Sequence, residues 1–487
     1  MEKSKNNISI LWNYFFILAI FFLLHLPFLD SVRRIIIDEN WYSNVAYNFS
    51  EGKGFINTNV GSGGGTISFL YPIIEGFFFY LFGTSLFTAR FVSLISGVLS
   101  VMGILKILRS YKIDTKIKYF AVLLLMFSYN YFLVFRFARP EGWVCAFFIW
   151  MVYFHVRYES DNRISYIFFQ GLLAGLSFFI HPWGTAFIIL FGIYSLYLSA
   201  TRKDYRILAG YAAGTVPVFI ILLGITMALN KLNLESLILI FSDRTIASEN
   251  SAGFIGKIIG NFESIFERYG LKGGRTFIII FHALISIYGL SFFRKNKNVF
   301  TLSALQILLL LVSVLVFSGG GMEFMLHFIF IFTFINLALI LNDKSTGIKL
   351  KAAGYILGII FFINNAAGIV SIEAKEHGDS FGTISEKIEA QLPKSSVVIG
   401  PMEMWFPCRE CEFYNTNTMW SFFKYKDLKS LLESGNLEYI ITADGVNTLQ
   451  TTENLQAIER YISSQGKNLL TFRTKNYGMI TIWKVKN

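Results

Sequence analysis

The chain has 487 residues, of which 54% are hydrophobic and only 15% are charged. Soluble domains carry roughly 25% charged residues, so the composition excludes an ordinary soluble protein and indicates a polytopic membrane protein. The net charge of +11 does not indicate nucleic-acid binding, because the basic residues form short clusters between apolar blocks. Three cysteines are too few for a disulfide framework.

Apolar blocks of roughly 18–22 residues, long enough to cross about 30 Å of hydrocarbon, recur along the chain and predict about eleven membrane-spanning helices. The predicted spans are 10–29, 88–108, 119–136, 140–156, 166–180, 183–199, 207–229, 276–293, 299–317, 322–341 and 352–370. Basic residues gather in alternate loops, such as 109–118, 202–206 and 294–297. This pattern places those loops and the N-terminus in the cytoplasm, and an odd number of spans places residues 371–487 outside.

The first outer loop, residues 30–87, begins just after the first predicted span. Asp38 and Glu39 lie there side by side, either as a solvated helix cap or as part of a reactive centre. The aromatic segment that follows them predicts a short interfacial helix ending at glycine. Residues 66–83 are apolar but short for a span and contain Glu75, which predicts a second interfacial or re-entrant helix.

Further ionisable residues fall at the outer ends of later spans. Arg136, Arg139 and Glu141 lie between the third and fourth spans, where Glu141 also suits the first turn of a helix. His181, in "FFIHPWG", lies at the outer turn between spans five and six, and a lone histidine is more often structural than catalytic. A carboxylate near cations can take a proton from an acceptor hydroxyl while the cations stabilise a departing phosphate.

The outer loop 230–275 contains Arg244, Glu249 and Lys272 and is either an ordinary loop or a flexible gate. Residues 371–487 alternate helix-like segments with short β-rich ones such as "SSVVIG" and "MITIWKV". They predict an extracytoplasmic α/β domain of about 115 residues, which we expect to assist acceptor recognition or folding. "CREC" lacks the further ligands of a zinc site, and a local disulfide between Cys408 and Cys411 is favoured over redox chemistry.

The segments "DENWYSNVAYNFSEGKGF", "RPEGWVCAFF" and "GLLAGLSFFIHPWGTAFIIL" resemble the GT-C superfamily of polyprenyl-phosphate-sugar-dependent glycosyltransferases. The most similar branch contains protein O-mannosyltransferases and lipid A aminoarabinose transferases. The resemblance covers residues 10–200, and a similar hydropathy profile continues to 370. It implies a polytopic α-helical, GT-C-like membrane module over residues 1–370, followed by the α/β domain at 371–487.

The resemblance also implies roles for individual residues. Asp38 corresponds to the catalytic base, with Glu39 beside it and Glu141 as the second acidic residue. The residues implied to bind the donor's phosphate or sugar are Arg90, Arg139, His181, Tyr71, His327 and Glu323. No obligatory cofactor is expected; if Mg²⁺ or Mn²⁺ binds, the carboxylate oxygens of Asp38 and Glu141 are its natural ligands. "FLYP" and "GGGMEFMLHFIF" depart from the family's usual segments, which leaves the identities of donor sugar and acceptor open.

The sequence therefore predicts an integral-membrane glycosyltransferase. It would move a sugar, with inversion, from a polyprenyl-phosphate donor to an acceptor hydroxyl on the outer face of a bacterial inner or cell membrane. The acceptor is a glycolipid, a polysaccharide or a protein. The alternative is a transporter or flippase of a lipid-linked saccharide, but the charged groups lie at one membrane face and the chain has no evident internal repeat, which favours the enzyme.

Overall fold

The computed structural model describes residues 2–58, 68–230, 256, 258–261, 263, 275–292, 296–317, 320–416, 428–446 and 452–485. The predicted gate at 230–275 lies almost entirely outside these residues, and so does the glycine-rich segment at 61–65. The side chain of Glu323 is likewise not described.

Long helices dominate the described part of the chain up to residue 376. They are α1 (Glu2–His25), α2 (Ile37–Ser50), α3 (Leu70–Phe82), α4 (Leu86–Ser110), α5 (Thr115–Met126), α6 (Tyr129–Val134), α7 (Glu141–Asp161), α8 (Ile164–Ile180), α9 (Gly184–Arg202), α10 (Tyr205–Asn230), α11 (Arg275–Leu290), α12 (Lys297–Val316), α13 (Gly320–Asn342) and α14 (Ile348–Glu376). Among the described residues, 6 helices contain segments long and apolar enough to cross a membrane, in α4, α9, α10, α12, α13 and α14. The predicted polytopic membrane protein is confirmed, whereas the count of about eleven spans stays a prediction.

The predicted span at 119–136 is wrong as one continuous helix, because the chain forms α5 and α6 with a break between them. Asn365 of α14 stabilises the break, since its Oδ1 accepts the N–H of Tyr129 at 2.8 Å. That N–H is one of the donors that a helix start leaves without an intrahelical partner. A side chain more than two hundred positions away in the sequence therefore supports the interruption.

Aromatic side chains fill much of the space between the long helices, and many of the 52 phenylalanines of the chain are buried there. Phe148 of α7 stacks on Phe187 of α9, with ring centroids 4.6 Å apart. The same ring meets Phe332 of α13 edge-on at 5.4 Å. Offset and edge-on pairs of this kind stabilise a core beyond the area that they bury.

The chain after α14 forms a five-stranded mixed sheet with the strand order β2-β1-β3-β5-β4. Its elements are α15 (Phe381–Glu389), β1 (Val397–Gly400), two short turns of 3-10 helix (Met402–Met404 and Phe406–Cys408), β2 (Glu412–Asn415), α16 (Leu428–Glu433), β3 (Tyr439–Ala443), α17 (Thr452–Gln465), β4 (Lys467–Thr474) and β5 (Gly478–Lys484). Strand β1 pairs in parallel with β2 and β3, and β5 pairs antiparallel with β3 and β4. This mixed sheet with helices agrees with the predicted α/β character.

The two cysteines of "CREC" do not form the predicted local disulfide. Cys408 and Cys411 are free thiols at the end of the second 3-10 turn, where the Cys411 N–H donates to the Cys408 carbonyl oxygen at 2.9 Å. Burial raises the pKa of both thiols, most strongly that of the fully buried Cys408. Both groups are therefore protonated at neutral pH, which does not suit redox chemistry.

Candidate active site

Helix α2 begins two residues after Ile35, and its first turn carries the acidic pair. The Glu39 carboxylate folds back so that its Oε2 accepts the N–H of Ile36 at 3.0 Å. Asp38 and Glu39 both lie in the first turn, where the helix dipole favours negative charge. Because neighbouring residues of a helix point in different directions, the side chains of Asp38 and Glu39 lie in different surroundings.

Glu39 points into the protein and forms an ion pair with Arg90 of α4. The Arg90 Nε donates to Glu39 Oε1 at 2.9 Å and its Nη2 donates to Oε2 at 3.0 Å. Both side chains are buried, with exposed fractions of 1% and 0%. Glu39 Oε1 also accepts the N–H of Ala138 at 2.9 Å, and Arg90 Nη1 donates to the carbonyl oxygens of Leu29 and Val32.

These contacts join the start of α2 to α4 and to the residues before α7. Because Arg90 is engaged on all three nitrogens, the geometry favours a structural role over the donor-phosphate role that the sequence predicts. The same contacts favour an orienting role for Glu39. A bidentate arginine–carboxylate pair is suited to such a fixed joint.

Asp38 points the other way and is 55% exposed. Its Oδ2 lies 3.1 Å from Nη2 of Arg139, and the same nitrogen lies 2.5 Å from Oε1 of Glu141. Glu141, the first residue of α7, is only 4% exposed. Burial lowers the pKa of Arg139, but the carboxylates of Glu141 and then Asp38 raise it more, and the net shift is upward.

Helix α3 adds Tyr71 and Glu75 beside these carboxylates. Tyr71 is fully buried and meets Tyr42 of α2 edge-on, with ring centroids 5.5 Å apart. Its hydroxyl lies near the carboxyl groups of Glu75, Glu141 and Glu39. Glu75 is also fully buried, and the Ser43 hydroxyl donates to its Oε1 at 2.5 Å. Sequence reasoning assigned no role to Glu75, although an ionisable residue in an apolar segment is a signal for one.

The other predicted site residues contact different partners. His181 directly follows the last residue of α8, and its ring centroid lies 4.0 Å from that of Trp183. The backbone N–H of Trp183 donates to Nδ1 of His181. His327 is buried in α13, and its carbonyl oxygen accepts the hydroxyl of Tyr131. Glu323 lies in the first turns of α13, and only its backbone is described. Their predicted contact with the donor stays a prediction.

Two further arginines near the loop are paired with carboxylates of α14. Arg136 Nη1 lies 2.5 Å from Glu373 Oε1, and Arg33 Nε lies 2.6 Å from Glu376 Oε2. Together with the pairs of Arg90 and Arg139, they give each of these four arginines an acidic partner. Of these four arginines, Arg139 is the one that lies beside the exposed carboxylate of Asp38. The Arg139 side chain is itself 17% exposed.

A divalent metal between Asp38 and Glu141 would have to displace the cation that lies there. The guanidinium of Arg139 already lies between the two carboxylates, within 3.1 Å of one and 2.5 Å of the other, and supplies positive charge there. Within the described parts of the chain, no group of three or more His, Cys, Asp or Glu side chains could hold a metal ion. Because Mg²⁺ is often held by one or two carboxylates, with water and substrate phosphates completing its coordination, the expectation that no metal is obligatory stays a prediction.

The described residues thus bring Asp38, Glu39, Arg90, Arg139, Glu141 and Tyr71 to one end of the helix bundle, beside the start of α2. Comparison with known proteins supports the class that this arrangement suggests. A family model described as dolichyl-phosphate-mannose-protein mannosyltransferase matches residues 68–227, which include α3, α4 and α7. Comparison of the sequence with curated proteins finds no match.

Solved structures of membrane glycosyltransferases share the fold along almost the whole chain. ArnT from Cupriavidus metallidurans, bound to undecaprenyl phosphate, superposes with a TM-score of 0.67 at 10% identity, over 96% of this chain and 97% of that chain. The apo oligosaccharyltransferase of Archaeoglobus fulgidus gives 0.55 at 10% identity, over 89% and 69%. The arabinofuranosyltransferase AftD from Mycobacteria gives 0.57 at 11% identity, and this chain covers 40% of its length.

The resemblance to the GT-C superfamily that the sequence predicts is therefore confirmed. At identities of 10% and 11%, the structural matches establish the fold, and the family model adds a sequence relationship over part of the membrane module. The match to the ArnT structure covers 96% of this chain and 97% of that chain, so it includes both the helices and the small sheet.

Proposed function

We propose that this chain is an integral-membrane glycosyltransferase that moves a sugar from a polyprenyl-phosphate donor to an acceptor hydroxyl, with inversion. The observation that carries the proposal is the exposed carboxylate of Asp38, held beside Arg139 at the end of a GT-C-like helix bundle. Glu39, its neighbour, is buried and paired, and Glu141 is almost fully buried. Of these three carboxylates, Asp38 is the one that an acceptor can reach.

The reaction assigns each group a step. The Asp38 carboxylate accepts the proton of the acceptor hydroxyl while the acceptor oxygen bonds to the anomeric carbon of the donor sugar. The bond between that carbon and the phosphate oxygen breaks, and its electron pair leaves with the polyprenyl phosphate. Asp38 then releases the proton to solvent, to which its side chain is open.

Arg139 is the described cation best placed to attract the leaving phosphate. It is shared between Asp38 and Glu141, and a guanidinium can make bidentate contacts with phosphate oxygens. When Asp38 becomes protonated, one of its two acidic partners loses its charge. The attraction of Arg139 for phosphate then increases at the step in which negative charge develops on the leaving group.

The proposed orientation places Asp38 on the extracytoplasmic face, with the N-terminus in the cytoplasm of a bacterial cell. The support for this orientation comes from the opposite end of the bundle, where three predicted cytoplasmic loops meet. Glu159 lies 2.5 Å from Arg202 and 3.6 Å from Lys297, so the basic clusters of these loops lie together. Positively charged loops on one side are typical of the cytoplasmic face. The orientation is tested by introducing cysteines at positions 38 and 203 and labelling each with a reagent added to one side of the membrane or the other.

The donor and the base are tested together with purified protein in lipid. Wild type, Asp38→Asn and the control Glu459→Gln, an exposed carboxylate of α17 in the C-terminal domain, receive a panel of polyprenyl-phosphate sugars. We expect wild type and the control to consume one donor, and Asp38→Asn to bind that donor with turnover lowered by about 10²–10⁴-fold.

Two other outcomes contradict the proposal in different ways. Equal turnover by Asp38→Asn places the base elsewhere, with Glu141 as the next candidate. If wild type consumes no donor but carries a labelled lipid-linked sugar across the bilayer, the protein is a transporter and the transferase is excluded.

A further inference from the structure

The C-terminal domain packs directly on the loop that carries Asp38. One continuous hydrophobic cluster contains Ile35 and Tyr47 from that loop together with Trp405 and Ile480 of the domain. The rings of Tyr47 and Trp405 meet edge-on at 6.0 Å. The loop and the domain therefore share a core and do not meet as two separate surfaces.

Hydrogen bonds from the domain fix the backbone just before Asp38. The buried N–H of Ile35 donates to the Tyr477 hydroxyl at 2.9 Å. Arg34 Nη1 donates to the carbonyl oxygen of Gly445 at 2.6 Å. Earlier in the segment, the side-chain amide of Asn476 donates to the Ser31 carbonyl oxygen at 3.1 Å. Partners from two turns of the domain thus hold residues 31–35.

A second contact fixes the chain just after Asp38. The side-chain amide of Asn40 donates to the carbonyl oxygen of Met402 at 2.5 Å, and both residues are buried. Asp38 therefore lies between two anchors, at Ile35 and Asn40, and both of their partners belong to the C-terminal domain.

Tyr477 is itself held rigidly, so it can act as a fixed point. It lies in the turn between β4 and β5, where its N–H donates to Thr474 Oγ1 at 3.1 Å. Its side chain is buried and lies 5.7 Å from the ring of Phe381. Without the phenolic oxygen, the buried N–H of Ile35 would lose its partner, which a buried donor tolerates poorly.

We infer that the C-terminal domain supports the active site from outside, and that Tyr477 is a positioning residue that keeps the Asp38 carboxylate in its reactive orientation by fixing the backbone at Ile35. The inference rests on the proposed function, because it concerns the base of that reaction. It gives the C-terminal domain a role in positioning Asp38, which is distinct from the predicted role in acceptor recognition or folding. A small displacement of a catalytic group lowers turnover without lowering substrate affinity.

The test compares Tyr477→Phe with Tyr461→Phe, which removes a hydroxyl from α17 of the same domain without touching the loop. Both full-length variants are measured in lipid for kcat, for the donor KM and for deuterium uptake of residues 31–41. We expect Tyr477→Phe to lower kcat by about tenfold or more with the KM unchanged. We also expect faster deuterium uptake at 31–41, and neither change in Tyr461→Phe.

The outcomes separate this inference from the proposed function. Unchanged uptake or unchanged kcat in Tyr477→Phe overturns the inference even when wild type is active. If wild type consumes no donor, the proposed function fails, and the inference fails with it whatever the exchange shows. If Tyr477→Phe does not fold, Asn40→Ala tests the second anchor with the same readouts and the same expected directions.

Discussion

Glu39 and Arg90 form a buried bidentate ion pair, with Nε–Oε1 and Nη2–Oε2 distances of 2.9 and 3.0 Å. The pair joins the first turn of α2 to α4, so the helix that carries Asp38 is fixed to the membrane bundle by charge as well as by packing. Asp38, one residue earlier, remains exposed. The two adjacent acidic residues therefore have different roles. Glu39 points inward and anchors the helix, whereas Asp38 points outward and is the proposed base.

Glu39→Gln is expected to destabilise the protein by about 3–5 kcal/mol, because it leaves the Arg90 guanidinium buried without a counter-charge. Thermal unfolding of the purified variant in detergent measures the loss. The contact with the Ile36 N–H is also lost if the amide nitrogen takes the place of Oε2.

Glu75→Gln is the matched comparison, since Glu75 is as deeply buried as Glu39 but forms no ion pair with any residue that the structure describes. Its described partner is the Ser43 hydroxyl, which donates to Oε1, and among the described residues its Oε2 has no hydrogen-bond partner. A buried carboxyl group in this setting is expected to keep its proton, so an amide of the same shape should change stability by less than about 1 kcal/mol. A loss equal to that of Glu39→Gln would show that Glu75 is charged.

Arg139 and Glu141 are expected to be energetically coupled, whereas Asp38 contributes little to stability. Arg139→Gln should cost about 3 kcal/mol, because the buried Glu141 loses its counter-charge. Arg139→Gln combined with Glu141→Gln should recover part of that loss, which a double-mutant cycle measures. Asp38→Asn, at an exposed site, should cost at most about 1 kcal/mol. Additive losses from Arg139→Gln and Glu141→Gln would contradict the pairing.

Much of this arrangement follows from the sequence. The lengths of the apolar segments and the positions of the basic loops predict the membrane helices, because both features can be read from short stretches of sequence. The order of acidic and basic segments predicts that Asp38, Arg139 and Glu141 meet at one end of the bundle. Even the short helices of the first loop form as predicted: α2 ends just before Gly52, and α3 lies within the predicted segment 66–83.

The contacts that decide roles could not be predicted, because they join residues far apart in the sequence. The sequence predicts a phosphate contact for Arg90, and only the structure shows that Glu39 and the carbonyl oxygens of Leu29, Val32 and Arg33 occupy its nitrogens. The break between α5 and α6 depends on Asn365, and the anchoring of Asp38 depends on Tyr477. Neither residue carries a local signal, since a buried amide and a buried tyrosine are ordinary features of any sequence.

Turnover is expected to persist in excess EDTA. Arg139 already supplies positive charge between Asp38 and Glu141, and a lipid monophosphate leaving group carries less charge than a diphosphate. The measurement is donor consumption by purified protein before and after chelation. Loss of activity that Mg²⁺ or Mn²⁺ restores would instead indicate a metal that displaces the guanidinium from the two carboxylates.

Gly76→Ala is expected to impair both stability and turnover, because Gly76 is the point of closest approach between α3 and α2. A Cβ at this position would lie 2.7 Å from the carbonyl oxygen of Ala46 and 3.0 Å from Cδ1 of Phe49. The backbone oxygen cannot rotate away, so the two helices must separate, at a cost of about 1–3 kcal/mol. Helix α2 carries Asp38, and its displacement should lower kcat.

Gly224→Ala is the control for this substitution, since a Cβ at Gly224 in α10 meets no atom of the described residues within 4 Å. There the alanine should leave turnover unchanged and, by its higher helix propensity, leave stability equal or up to about 1 kcal/mol greater. Thermal unfolding and donor consumption are measured on both variants in the same lipid. Equal behaviour of the two would mean that the close packing of α3 on α2 does not determine the position of Asp38.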